Sequence, residues 1–141
     1  MPDSPMVPCE LRRVVTHDTA ERQYIFLAEE DGERWFPIVI GSGEAGEIQR
    51  VLMNRHPERP LTHQLAFSAI EALGSRIDAV EIVDLRQNTF FARMVLKGSN
   101  GEEPAMVDAR PSDAIALALR ARCPIRVSES VLAAAATTDD D

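Results

Sequence analysis

The stretch DARPSDAIALALR, residues 108–120, decides the fold. Pro111 suits the first position of a helix, where its missing N–H costs nothing. Ser112 and Asp113 fall in the first turn, where oxygen acceptors and negative charge meet unpaired N–H groups. Ala114, Ile115, Ala116, Leu117, Ala118 and Leu119 follow, apolar on every side, and such a helix belongs in an interior. The pattern predicts a mostly buried segment, with Asp113 accepting backbone N–H bonds in its own first turn. Asp108 and Arg110 precede the helix and are not needed to start it. Spaced i, i+2 in a strand, they would share a face and could pair.

Working outward, the same order occurs twice. WFPIVIGSGEAGEIQRVL and PAMVDARPSDAIALAL both read as strand, tight turn, acidic residue, alanine, helix. Placing Glu44 on Asp113 gives a shift of 69 residues, and CELRRV and VEIVDL precede them at roughly that shift. QYIFLAEEDGERWFPIVI reads as two strands around Asp31-Gly32, a hairpin signal. AVEIVDL, NTFFARMVLKG and AMVDA are the strands of the second half. GSGEAGEIQRVLMN has helical spacing at Ala45, Ile48, Val51 and Leu52. HQLAFSAIEAL is a second helix, with Thr62 as its N-cap and Gly74 as its stop. PIRVSESVL reads as a short strand and a terminal turn. The predicted class is α+β, with duplicated strand-strand-strand-helix halves forming a mixed sheet and helices packed against it. Residues 1–132 are expected to form a single domain, with 133–141 as an acidic, disordered tail.

Composition narrows the function classes. The 141 residues are 45% hydrophobic and 27% charged, as in ordinary globular chains, with a net charge of −8. Nucleic-acid binders usually displace counterions with a basic face. An acidic chain needs locally clustered cations or bridging metal ions instead. No apolar run approaches the ~20 residues of a membrane span. MPDSPMVP lacks the basic and apolar regions of a secretory leader. Cys9 and Cys123 form no motif and are expected to be reduced thiols. A cytoplasmic location is the expectation.

Several polar residues could carry chemistry. Glu44 and Asp113 would open equivalent helices. Carboxylates are the ligands Mg²⁺ and Mn²⁺ prefer, and such ions activate water against phosphodiesters. Acids in a first turn also serve the helix dipole, without any ligand. His63 could act as a general base or be a polar residue of a first turn. The spacings HxxxH and HExxH of zinc sites are missing. RVLMNRHPERPLTH gathers Arg50, Arg55, His56, Arg59 and His63 against Glu58, and Arg120, Arg122 and Arg126 form a weaker group. Either group could take phosphates or be a solvated connection. GSGEAG matches GxGxxG, but no strand ending in an acid follows about 20 residues later, so it reads as a chance match.

The stretches FPIVIGSGEA, RPLTHQL, EALGSRIDAVEI, NTFFARMVL, VDARPSDAIALALR and PIRVSESVL resemble, in order, the bifunctional nuclease domain family. They run from about residue 9 to residue 132. The resemblance implies an α+β domain of duplicated halves, homo-oligomers, and nuclease activity on DNA and RNA, attributed chiefly to plant members. Gln64 stands where the family commonly shows Asp. Two readings follow. In the first, the chain is a metal-assisted phosphodiesterase. Glu44, His63 and Asp113 are then catalytic, and Glu44, Asp108 and Asp113 hold Mg²⁺ or Mn²⁺. Arg59, Arg110 and Ser112 bind the DNA or RNA substrate. In the second, the chain is a non-catalytic oligomeric interaction or regulatory module.

Overall fold

The computed structural model describes residues 4–16 and 22–138. The first half contains β1 (Met6–Val15), β2 (Gln23–Glu29), β3 (Arg34–Ile40), α1 (Ser42–Leu52) and α2 (Thr62–Ala72). The second contains β4 (Ser75–Arg86), β5 (Thr89–Gly98), β6 (Ala105–Ala109), α3 (Pro111–Ala121), β7 (Ile125–Ser128), α4 (Glu129–Ala135) and β8 (Thr137–Thr138). All the strands form one sheet in the order β6-β5-β4-β7-β1-β2-β3-β8. Among the described residues only the β4–β7 pairing is parallel, so the sheet is mixed and the class is α+β.

Each half is an antiparallel three-strand meander followed by a helix, as the repeated sequence order implies. The halves keep the shift of 69 residues at three element ends. β1 and β4 start at 6 and 75, β3 and β6 end at 40 and 109, and α1 and α3 start at 42 and 111. β7 enters between the meanders, parallel to β4 and antiparallel to β1, and joins them into one sheet.

Alternation explains the strands. In β3, Phe36, Ile38 and Ile40 are buried while Pro37 and Val39 are exposed, the period of two that puts one face on a core. Ile25, Leu27, Phe36, Ile48, Ile82, Ile115 and Leu132 form the centre of that core. α3 supplies five consecutive buried residues, Ala114 to Ala118. Its alanines let α1 and the sheet approach closely from different sides, which an apolar helix of larger residues would prevent. Gly74 closes α2 at φ +82°, a conformation that suits glycine because it has no Cβ.

Four local expectations are corrected. The N-cap of α2 is Leu61 rather than Thr62, because the Leu61 carbonyl already accepts from the Leu65 N–H at 2.8 Å. The expected terminal turn is helix α4, anchored by buried Val131 and Leu132. The expected tail is also shorter. Residues 133–135 lie in α4, and Thr137 and Thr138 pair with Trp35 and Arg34, while the acidic end at 139–141 lies outside the described residues. Asp113 makes no capping bond in α3, since N-cap Arg110 and the helix start have no side-chain cap.

Candidate functional site

α1 and α3 begin side by side, as the duplication requires, so Glu44 and Asp113 both stand at the third helical position. Arg110, the N-cap of α3, ties them together. Its Nη2 donates to Glu44 Oε1 at 3.0 Å, and its Nε donates to Asp113 Oδ2 at 2.8 Å. The residue equivalent to Arg110 in the first half is Gly41. A Cβ there would overlap the Glu44 carboxylate, so glycine leaves room for Glu44 to fold back over its own helix start.

α2 brings the third member. His63 Nε2 lies 2.8 Å from Asp113 Oδ1. Burial works against the charged form of Asp113, but the bonds from Arg110 and His63 outweigh it and hold its pKa below the usual value. An ionised carboxylate only accepts, so Nε2 carries the proton in this bond. Nδ1 is then the ring nitrogen left to exchange one. The group lines an open cleft of about 610 Å³, with Arg50, Leu61 and Leu117 on its other walls. Arg110 is 66% exposed, so its guanidinium can meet a ligand in the cleft without breaking the core.

The other expected site residues lie elsewhere. Asp108 is exposed on edge strand β6, opposite Arg93 of β5. It does not pair with Arg110, because Arg110 has left the strand to cap α3 and finds Asp113 one turn on. Arg59 is exposed on the connection between α1 and α2, apart from the His63 cleft. Ser112 is buried and faces an adjoining groove beside Pro37–Ile40 instead. The three-carboxylate metal site is therefore not assembled. Among the described residues no group of three or more His, Cys, Asp or Glu side chains could hold a metal ion. The guanidinium of Arg110 sits between Glu44 and Asp113, where a divalent cation would have to bind. As arranged, these residues do not fit Mg²⁺ or Mn²⁺.

A second network, missed in the sequence, braces the first. Glu47 of α1 is 1% exposed. It accepts from Arg120 Nη2 at 2.6 Å and from Arg50 Nη2 at 2.9 Å. Burial disfavours its charge, and the two guanidinium groups more than compensate, lowering its pKa. Arg120 also donates to Gln64 Oε1, and Gln64 Nε2 donates to Ser68 Oγ at 2.9 Å. Glu47–Arg50 was visible as an i, i+3 pair. Arg120 lies 73 residues from Glu47, so no local signal could join them. The weaker basic group of the sequence also dissolves, since Arg126 turns to buried Glu81 and Arg122 closes α3 in a left-handed conformation.

Fold and site together define a duplicated α+β protein with a histidine–carboxylate–guanidinium cluster in an open cleft. The chain belongs to the bifunctional nuclease domain family, which it matches over residues 25–140. An uncharacterized protein of Mycobacterium tuberculosis is 43% identical over 111 residues, covering 79% of this chain and 65% of the relative. Rice (Oryza sativa subsp. japonica) bifunctional nuclease 2 is 31% identical over 116 residues, covering 81% of this chain and 36% of its own. Bifunctional nuclease 1 of Arabidopsis thaliana is 29% identical over 114 residues, covering 79% and 35%. The chain thus spans about two thirds of the mycobacterial relative and about a third of the plant ones. None of the described helices is long and apolar enough to cross a membrane.

Proposed function

We propose that the chain hydrolyses phosphodiester bonds of DNA or RNA in the His63 cleft. The observation that carries this is Asp113, whose one carboxylate orients His63 and Arg110 toward the same space. His63 takes the proton of the attacking water as its oxygen bonds to phosphorus, and the P–O bond to the leaving sugar oxygen breaks, that oxygen taking a proton from solvent. Arg110 takes the charge that grows on the phosphoryl oxygens, and Arg50 also lines the cleft. Glu44 holds Arg110 in place. A general base of this kind contributes about 10²–10⁴ in rate. Mg²⁺ or Mn²⁺ is the expected cofactor class, but Glu44 and Asp113 would reach an ion only with Arg110 displaced, so no step is assigned to it.

The test is cleavage of single-stranded DNA and RNA at low salt, with Mg²⁺, with Mn²⁺ and with chelator. His63→Ala should lose about 10²-fold or more in rate while remaining folded at the assay temperature, and Asp108→Asn should match the wild type. Wild-type protein that cleaves no better than a mock preparation under every condition would end the enzyme reading.

One observation favours the second reading, a non-catalytic oligomeric module. Helix α2 has no buried residue, although it reads THQLAFSAIEA. Leu65 and Leu73 are 62% and 85% exposed. A helix of that composition is suited to cover by another protein surface, and a cytoplasmic homo-oligomer is the assembly we propose for it.

A further inference from the structure

A second groove, of about 500 Å³, adjoins the His63 cleft and shares Glu44 and Arg110 with it. The end of β3, the β4–β5 turn and the start of α3 form its walls. Its charge is balanced, because its one cation, Arg110, is paired with its one anion, Glu44, at 3.0 Å. A phosphate group would meet Glu44 there with no cation to spare, so the groove suits an uncharged group. Its polar groups are unspent. Ser112 is 7% exposed, yet its hydroxyl has no hydrogen-bond partner among the described residues and is not sealed from solvent. A hydroxyl both donates and accepts, and this one faces the groove. The side chains of Asn88 and Thr89 are exposed there, again without a described partner. β8 pairs only with Arg34 and Trp35, so no described strand covers the outer edge of β3 at residues 36–40. Apolar surface comes from Val39, which is 52% exposed, and from half-buried Phe90, whose ring centroid lies 5.3 Å from that of Phe36.

Resting on the nuclease reading, we propose that this groove is a nucleobase subsite. It takes the base of a nucleotide adjoining the phosphodiester that lies against His63 and Arg110. Apolar walls with a few convergent polar groups are the usual form of a site for a small ring. A base is uncharged, flat and edged with donors and acceptors. That matches a neutral groove whose hydroxyl and amide groups both donate and accept. Arg110 borders both spaces, so one guanidinium holds the phosphodiester where the strand passes from cleft to groove. Affinity then comes from a base as well as from phosphate, which a chain of net charge −8 needs, since it has few cations with which to displace counterions. Removing that base should cost affinity even where every phosphate is kept.

Asn88 and Val39 are the residues to test. Both are exposed, and neither bonds to His63, Arg110 or Asp113. Asn88 stands at φ +64° in the β4–β5 turn, so Asn88→Gly removes the amide and keeps the turn. Val39→Trp fills the groove from a strand position, where an aromatic ring is well accepted. Binding of labelled DNA trinucleotides is measured by anisotropy at low salt with chelator, each base in turn being replaced by an abasic tetrahydrofuran. The wild type should bind the complete strand about tenfold more tightly than one of the abasic strands. Val39→Trp should bind the complete strand as weakly as that abasic one, and Asn88→Gly should narrow the difference by about two- to tenfold. Both variants should bind the abasic strand as the wild type does, which a loss of folding would not allow. If Val39→Trp does not fold, Asn88→Gly alone decides. Equal binding of all the strands by the wild type would overturn the subsite, as would no binding of any, or a base dependence that the folded variants leave unchanged. Base-dependent binding that the variants weaken, without cleavage under any metal condition, would uphold the subsite and remove the nuclease reading. Cleavage without base dependence would do the reverse.

Discussion

Replacing Asp113 by asparagine would keep its shape and remove its charge. That charge is what His63 and Arg110 both use. The folded-state pKa of Asp113 is lowered from the ordinary 3.8. A lowered carboxylate pKa stabilises the fold above the unfolded value and loses that contribution as pH falls through the folded one. Asp113→Asn should therefore melt below the wild type at neutral pH, and the gap should close as pH falls below about 4. Melting curves from pH 7 to pH 2 would check this, and a constant gap would show that charge is not what Asp113 contributes. The same pairing explains why Asp113 does not cap its helix: both of its oxygens are already committed to side chains that reach it from outside α3.

At the scale of elements, Glu47 locks α1 to α3. A buried carboxylate left without its guanidinium partners, or the reverse, is strongly destabilising, by about 3–5 kcal/mol. Glu47→Ala should fall in that range, because it strands Arg120, which is largely buried beside it. Arg120→Ala should cost less, since Arg50 still serves Glu47. The double replacement should cost clearly less than the sum of the singles, as expected for partners in one network. Urea unfolding of the four proteins tests this, and strictly additive costs would mean the pair contributes nothing as a pair. A comparable link closes the chain's other end. Arg34 bonds to Glu29 within the β2–β3 hairpin and to Glu129 of α4, so the segment expected to be a turn is held as a helix by the first half.

For the whole molecule, the core is continuous across both halves, and α2 is the one described helix with no buried residue. Its Leu61, Leu65 and Leu73 are exposed, with Leu52 and Met53 at the end of α1. A closed homo-oligomer would cover such a face on every copy. Light scattering should give a mass above the 15.6 kDa of one chain, and Leu65→Asp should shift the population toward monomer without lowering helix content. A single-chain mass at micromolar concentration would count against assembly. The thiols give no competing route to a covalent oligomer. Burial pushes Cys9 up to about 12 and Cys123 up to about 11, so neither is a ready thiolate nucleophile at neutral pH.

Periodicity and hairpin turns are local, and what they encode was legible in the sequence, whereas the capping expectations at Thr62 and Asp113 and the terminal turn were not met. The strands other than β8, the three longer helices, the duplication and its 69-residue shift followed from residues that are neighbours or near neighbours in the chain. So did Glu44, His63, Arg110 and Asp113 as the polar residues worth watching. Their partners were not legible. Arg110 looked like the mate of Asp108 two residues away, yet it pairs with Glu44, 66 residues away. The reason is that the helix start turns Arg110 out of the strand, and the duplicated half sets a second carboxylate beside it. His63 meets Asp113 across 50 residues for a similar reason: α2 packs against α3, and only that packing chooses which ends meet. Glu47 shows the same limit, since its isolated i, i+3 pair looks like a surface feature until α3 closes over it. The sequence by itself determined the elements of the two related halves, but not α4 or β8. The tertiary structure alone decided which charges face each other, because that depends on distances between elements that no spacing along the chain contains.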